Sequence, residues 1–171
     1  MKKKIKEYTV NIQEPILANE PVITYGLNYE QNNYFQNIKL ILGIQKSVNS
    51  DYDLISLSRN GLHKSSVVSL SKYLGITMEK MSELLNISSR TLQRKADDEA
   101  LNITTSFQTI EVAELTAKGI DVLGTKENFS NWLSTPLVAI GNIPPINLLD
   151  TTQGIKILSK ILGRIEHGIY S

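Results

Sequence analysis

Between Thr77 and Lys95 the chain reads TMEKMSELLNISSRTLQRK, and its second half sets Ser88, Ser89, Arg90, Gln93 and Arg94 at helical spacing. The chemistry open to those side chains is recognition. A guanidinium can bond a guanine edge through two parallel hydrogen bonds, a carboxamide can do the same to adenine, and hydroxyls suit phosphate oxygens. Two short helices crossing around a tight turn would present such a row. The turn needs a residue that tolerates a left-handed backbone, and Asn86 stands there. Ser82 is small where the second helix must cross the first, and Met81, Leu85, Ile87 and Leu92 supply a shared core. An αα-hairpin that touches no nucleic acid would share that core, so the surrounding charge matters.

Net charge is +1, but it is unevenly spread. Residues 57–96 carry seven basic and two acidic side chains, whereas residues 97–131 carry two basic and seven acidic. The basic excess coincides with the helix-turn-helix candidate, as a phosphate-binding surface requires. Other chemistries lack their residues. There are no cysteines, which excludes disulfides, thiolate metal sites and a cysteine nucleophile and fits a reducing compartment. The two histidines, His63 and His167, have no second histidine at ligand spacing. No G-x-x-x-x-G-K-[ST], G-x-G-x-x-G or G-x-S-x-G occurs. Asp97-Asp98-Glu99 and the pair Glu111/Glu114 read as solvated faces with no hint of a raised carboxylate pKa. The expectation is a chain that is not an enzyme and needs neither cofactor nor metal.

The elements that must hold this row are mainly helical. Ser50 or Asp51 can cap a helix that Gly61 ends, and Ser65 or Ser66 can cap the next, closed by Gly75. Thr77 caps a third, with Glu79 in its first turn, and Ser88 a fourth running to about Asp98. A longer helix spans about Ser106 to Leu123 despite Gly119, which costs about 1 kcal/mol relative to alanine. Thr125 caps a short helix that Pro136 stops. A final helix spans about Thr152 to Glu166, with Ile155, Leu158, Ile161, Leu162 and Ile165 as its apolar stripe. At the other end, alternation of Tyr8, Val10 and Ile12 allows a short strand, and Asn28–Asn37 reads as a loop. Residues 38–48 are apolar enough for burial as helix or strand. The basic start at Met1–Lys6 is not followed by an apolar signal segment, and no run approaches the ~18 apolar residues of a membrane span, so a cytoplasmic chain is expected.

The last forty residues combine tight punctuation with apolar stripes. Trp132-Leu133 precedes Pro136, Gly141-Asn142 precedes Pro144-Pro145, Leu148-Leu149 leads to Thr151 and Gly154, and the chain closes Arg164-Ile165-Glu166-His167-Gly168. Each proline and glycine fixes a corner, and Trp132 is expected as a core anchor. Arg164, Glu166 and His167 fall at the exposed end of the last helix.

Over residues 50–171 the sequence resembles the Xre/MbcA/ParS antitoxins. The resemblance lies in the Xre-type helix-turn-helix, with Arg59-Asn60-Gly61-Leu62 and Arg90-Thr91-Leu92-Gln93-Arg94. It lies equally in Trp132-Leu133, Pro136, Gly141, Pro144, Leu148-Leu149, Thr151, Gly154 and Arg164 to Gly168. Two positions depart from the pattern: Lys95 stands where an apolar residue is usual, a gap that its stem or Ala96 can fill, and Asn142 replaces a second glycine. The resemblance implies a mainly all-α fold, with an Xre-like helix-turn-helix domain over 49–104 and a compact helical toxin-binding domain over 105–171. Residues 1–48 lie outside the resemblance, and from their own pattern they could form a short strand or an arm that pairs with a second subunit, or be partly disordered. The resemblance further implies an antitoxin that binds a RES-domain, NAD-degrading toxin directly and represses its own operon as a homodimer on operator DNA. DNA contact would come from Ser88, Ser89, Arg90, Gln93 and Arg94, and toxin contact from Arg164, Glu166, His167, Gly168 and Tyr170. A plain dimeric DNA-binding regulator without a toxin partner, and an interaction module that has lost DNA binding, are the competing expectations.

Overall fold

The structure is a computed structural model that describes residues 29–168, with side chains from residue 33 onward. The strand allowed around Tyr8, Val10 and Ile12, and Tyr170 of the docking set, lie outside the described residues. Among the described residues eight α-helices follow one another: α1 (Tyr29–Leu42), α2 (Asp51–Asn60), α3 (Lys64–Leu74), α4 (Met78–Leu84), α5 (Ser89–Arg94), α6 (Ile103–Leu123), α7 (Lys126–Ser134) and α8 (Thr152–Glu166). Two short 3-10 turns, Val138–Ile140 and Pro145–Leu148, connect α7 to α8. Among the described residues there is no sheet, only isolated bridges between His63 and Ala100 and between Leu137 and Ile143. No described helix is long and apolar enough to cross a membrane.

The helix starts follow from side-chain oxygens placed where the first backbone amides lack partners. Ser50 accepts from the Asp53 amide, Thr77 from Lys80, Ser88 from Thr91, Thr125 from Asn128 and Thr151 from Gly154. Each such cap contributes about 1 kcal/mol. Four boundaries differ from expectation. The helix α3 opens at Lys64 behind His63, which makes no side-chain cap; Ser66 is buried instead, and the Lys64 and Ser65 amides bond the Glu99 and Asp97 carbonyls. The helix α5 stops at Arg94, because the Glu99 carboxylate takes the Ala96 amide into a turn. The helix α6 begins three residues early, because Asn102 caps it through the Thr105 amide at 2.8 Å. Finally, most of Asn28–Asn37 is helix rather than loop. Ile38, Ile41 and Leu42 form a buried stripe on this helix, with Tyr34 and Phe35 packed beside it.

The scaffold is organised around α6, which packs against α1, α2, α3, α7 and α8. Its buried hydroxyls are internally satisfied: Thr109 and Thr116 each donate to the carbonyl four residues earlier at 2.7 Å, and Ser106 accepts from the Leu62 amide at 2.9 Å. Gly119 sits on this helix for a steric reason, since a Cβ there would collide with the ring of Phe129. Phe129, 1% exposed, is thus the anchor of α7. Trp132, expected in that role, is half-buried and stacks on Phe129 with ring centroids 5.9 Å apart. Gly154 is equally constrained: a Cβ would strike the Leu148 carbonyl, so the turn of 3-10 helix before α8 can pack directly on its first turn.

Candidate DNA-reading and partner-docking surfaces

The helices α4 and α5 cross around Leu85-Asn86-Ile87-Ser88. Asn86 has φ +51°, the left-handed conformation the turn demands. Met81, Ser82, Leu85 and Leu92 are buried together and Ile87 packs against them. Ser82 satisfies its hydroxyl on the Met78 carbonyl at 2.7 Å, which lets a polar residue occupy the crossing. On the outer side of α5, Arg90, Gln93 and Arg94 are exposed and Ser89 is half-buried. Arg90 and Arg94 border an open hollow of about 340 Å³ with Thr91, Lys95 and Glu99. Ser88 is exposed too, but its Oγ accepts the Thr91 amide at 3.0 Å and lies 2.6 Å from the Thr91 hydroxyl, so it serves first as the cap of α5.

Of the two residues that could cover the position where an apolar residue is usual, Lys95 is the less exposed. Lys95 is half-buried and its Nζ donates to Glu99 and to the Ala100 carbonyl, whereas Ala96 is exposed. This pair holds the Glu99 carboxyl below its ordinary value.

The second surface lies at the end of α8. Arg164, Glu166, His167 and Gly168 are all exposed, and among the described residues their side chains make no hydrogen bond or ion pair. Gly168 has φ +66°, and its amide bonds the Ile165 carbonyl at 3.0 Å, so the chain turns away from the helix axis there.

Between the helix-turn-helix and the start of α8 runs a polar seam that sequence reading missed. Buried Gln108 on α6 donates through Nε2 to the Leu84 carbonyl at the end of α4 and to the Asp150 carbonyl at 2.9 Å. Asn86 donates to the same Asp150 carbonyl at 3.0 Å. Thr152, the first residue of α8, donates to Glu111 at 2.7 Å. A glutamine among the buried positions of a helix is the signal that could have found it. Glu111 and Glu114 also correct the reading of a solvated acidic face. Both are half-buried. The Glu114 carboxyl is pushed up to about 7 by burial first and by Asp51 and Glu111 next. Tyr34 from α1 offers it a hydroxyl at 3.5 Å, and burial beside that carboxylate raises the phenol above its usual range. Among the described residues no group of three or more His, Cys, Asp or Glu could hold a metal ion.

A helix-turn-helix joined through one central helix to a second helical module defines a class of two-part helical proteins. The chain belongs to the Xre/MbcA/ParS family of antitoxins of toxin–antitoxin systems: the antitoxin Xre-like helix-turn-helix domain matches residues 53–106 and the antitoxin Xre/MbcA/ParS C-terminal toxin-binding domain matches residues 118–168. A Sphingobium sp. (strain YBL2) protein named Prs ADP-ribosylating antitoxin is 28% identical over 132 residues, 71% of this chain and 83% of that one. Antitoxin Xre of Yersinia enterocolitica (serotype O:8 / biotype 1B) is 25% identical over 120 residues, 69% of this chain and 81% of that one. Among solved structures, a chain of the M. tuberculosis MbcT–MbcA toxin–antitoxin complex is 18% identical with a TM-score of 0.48, covering 63% of this chain and 96% of that one.

Proposed function

We propose that this antitoxin neutralises a RES-domain, NAD-degrading toxin by direct contact and represses its own operon through α4 and α5, acting by binding alone inside the cytoplasm. The observation that carries the reading is the presence in one chain of two exposed polar surfaces on different helices. One is the Arg90–Gln93–Arg94 row of α5, and the other is the Arg164–Glu166–His167–Gly168 end of α8 in the toxin-binding domain. In this division of labour, residues 49–104 read DNA, with Ser88 and Ser89 framing the arginines, while residues 105–171 dock on the toxin and obstruct its active site, Tyr170 included. The Sphingobium relative's name points to ADP-ribosyl transfer. That reaction consumes NAD as degradation does, so NAD is the natural readout for either toxin chemistry.

A homodimer belongs to the same proposal. Tyr52 and Ile55 on α2 and Ile103 and Phe107 on α6 are all exposed, and Ile55 and Phe107 border one hollow of about 130 Å³. On α2, Asp51 lies at one end of this face and Arg59 at the other, both exposed. A two-fold axis that sets two copies of α2 antiparallel would therefore pair apolar with apolar and acid with base.

Inducing the gene adjacent to this one, alone and together with this chain, tests the reading through growth and intracellular NAD. Loss of NAD alone with rescue on co-expression is expected. Absence of toxicity, or toxicity without rescue, would favour a plain dimeric DNA-binding regulator.

A further inference from the structure

Lys64 is locally misplaced. It opens α3, where its charge meets the positive end of the helix dipole, and the His63 before it supplies no side-chain cap. It is also withdrawn from solvent, with 17% of its side chain exposed. An ammonium group has three protons to place, and three acceptors surround this one. The Lys95 carbonyl lies at 2.8 Å, the Gln93 carbonyl at 3.4 Å and the Asp97 carboxylate at 3.4 Å. The two carbonyls are those of the last turn of α5 and the residue after it. A six-residue helix leaves its final carbonyls without intrahelical partners, and a cation at that end is favoured by the dipole.

We propose that Lys64 is a positioning residue for DNA reading: reaching from α3, it clamps the C-terminal end of α5 and fixes the pose in which Arg90, Gln93 and Arg94 meet the bases, without touching phosphate itself. The inference rests on the DNA-reading role proposed above. Gln93, whose side chain is exposed, is held by its own carbonyl. A phosphate contact would require the Lys64 ammonium to leave all three acceptors and strand the carbonyls behind it. Lys95 is turned inward in the same way, onto Glu99 and Ala100. Beside α5, the ammonium groups are thus structural, and the guanidinium groups of Arg90 and Arg94 face the open hollow.

The two roles separate in how they treat specific and non-specific DNA. A positioning residue acts on base reading alone, whereas a phosphate contact serves every sequence equally. Binding of wild-type, Lys64→Met and Lys64→Arg proteins is measured across a salt series. The probes are the duplex upstream of the protein's own gene and a random-sequence duplex of equal length. Lys64→Met is expected to weaken upstream-duplex binding roughly tenfold or more, the scale of one bidentate base interaction. Random-duplex binding and the slope of log K against log salt should stay unchanged, and Lys64→Arg should recover most of the loss. Toxin neutralisation by Lys64→Met should be intact, and Lys64→Gln carries the same comparison should the methionine variant unfold. Equal weakening on both duplexes with a slope smaller by about 0.9 would make Lys64 a phosphate contact and overturn the proposal. Unchanged upstream binding by a folded variant would overturn it as well. A wild-type protein that does not distinguish the two duplexes would instead overturn the DNA-reading role on which it rests.

Discussion

Asn86 and Asp150 join the helix-turn-helix to the start of α8: the turn residue donates its Nδ2 to the Asp150 carbonyl at 3.0 Å, one residue before the Thr151 cap of that helix. Asn86 therefore does two things, adopting the left-handed backbone and tying the turn to the start of α8. The two can be separated by substitution. Asn86→Gly keeps the backbone and loses the bond, and is expected to cost about 1 kcal/mol in urea unfolding. Asn86→Val loses the bond and adds strain at a β-branched residue, and is expected to cost on the order of 2–3 kcal/mol. Equal stability of the two variants would show that the turn is not strained.

Two helical glycines should respond to alanine with opposite signs. Gly119→Ala gains helix propensity but forces a Cβ into the Phe129 ring, and a net loss of about 1–3 kcal/mol is expected. Gly163→Ala meets nothing nearer than the Lys118 ammonium at 3.5 Å, and a gain of up to about 1 kcal/mol is expected. Thermal unfolding of both variants distinguishes packing from propensity.

Glu114 gives the fold a pH dependence. Its carboxyl is raised to about 7 in the folded protein from an ordinary value of 4.5, so the native state holds the proton more tightly than the unfolded chain. Its contribution is most favourable below pH 4.5, declines as pH rises toward 7 and is constant above. Glu114→Gln should remove that decline. The stability difference between variant and wild type is expected to grow by on the order of 2–3 kcal/mol between pH 4.5 and pH 8. A difference independent of pH would mean that the carboxylate is ionised normally in its half-buried site.

Which parts of this architecture can be read from the sequence follows from the range of the interactions involved. The caps at Ser50, Thr77, Ser88, Thr125 and Thr151 each act on the amide three residues on, so their positions are written locally. So is Asn86, because a left-handed turn restricts residue type. The start of α6 is hard to place because Asn102 looks like any loop asparagine until the Thr105 amide is seen to need it. The helix α1 is hard to read because its Asn- and Gln-rich sequence mimics a loop, while its apolar stripe acquires meaning only against α6 and α3. Lys64, Gln108 and Glu114 depend on partners from 24 to 80 residues away. No local pattern reports such partners. The polar rows of α5 and α8 are legible because they are exposed and so keep their helical spacing.

The DNA-reading row and the docking end of α8 should be separable. Replacing Arg90 and Arg94 by alanine is expected to abolish repression of the upstream promoter and leave neutralisation intact. The salt dependence of DNA binding should fall by about 0.9 for each phosphate that either arginine neutralises. Replacing Arg164 and Glu166 by alanine should do the reverse, ending neutralisation and sparing repression. Joint loss of both activities in either folded variant would contradict the division of labour.

The central claim is neutralisation by direct contact. Its most direct test is a titration of the purified protein into the purified product of the adjacent gene, with NAD consumption as the readout. Consumption is expected to fall in proportion to added protein and to stop at a fixed stoichiometry, and Arg90→Ala/Arg94→Ala protein is expected to perform equally well. Undiminished NAD consumption in the presence of excess folded protein would contradict it.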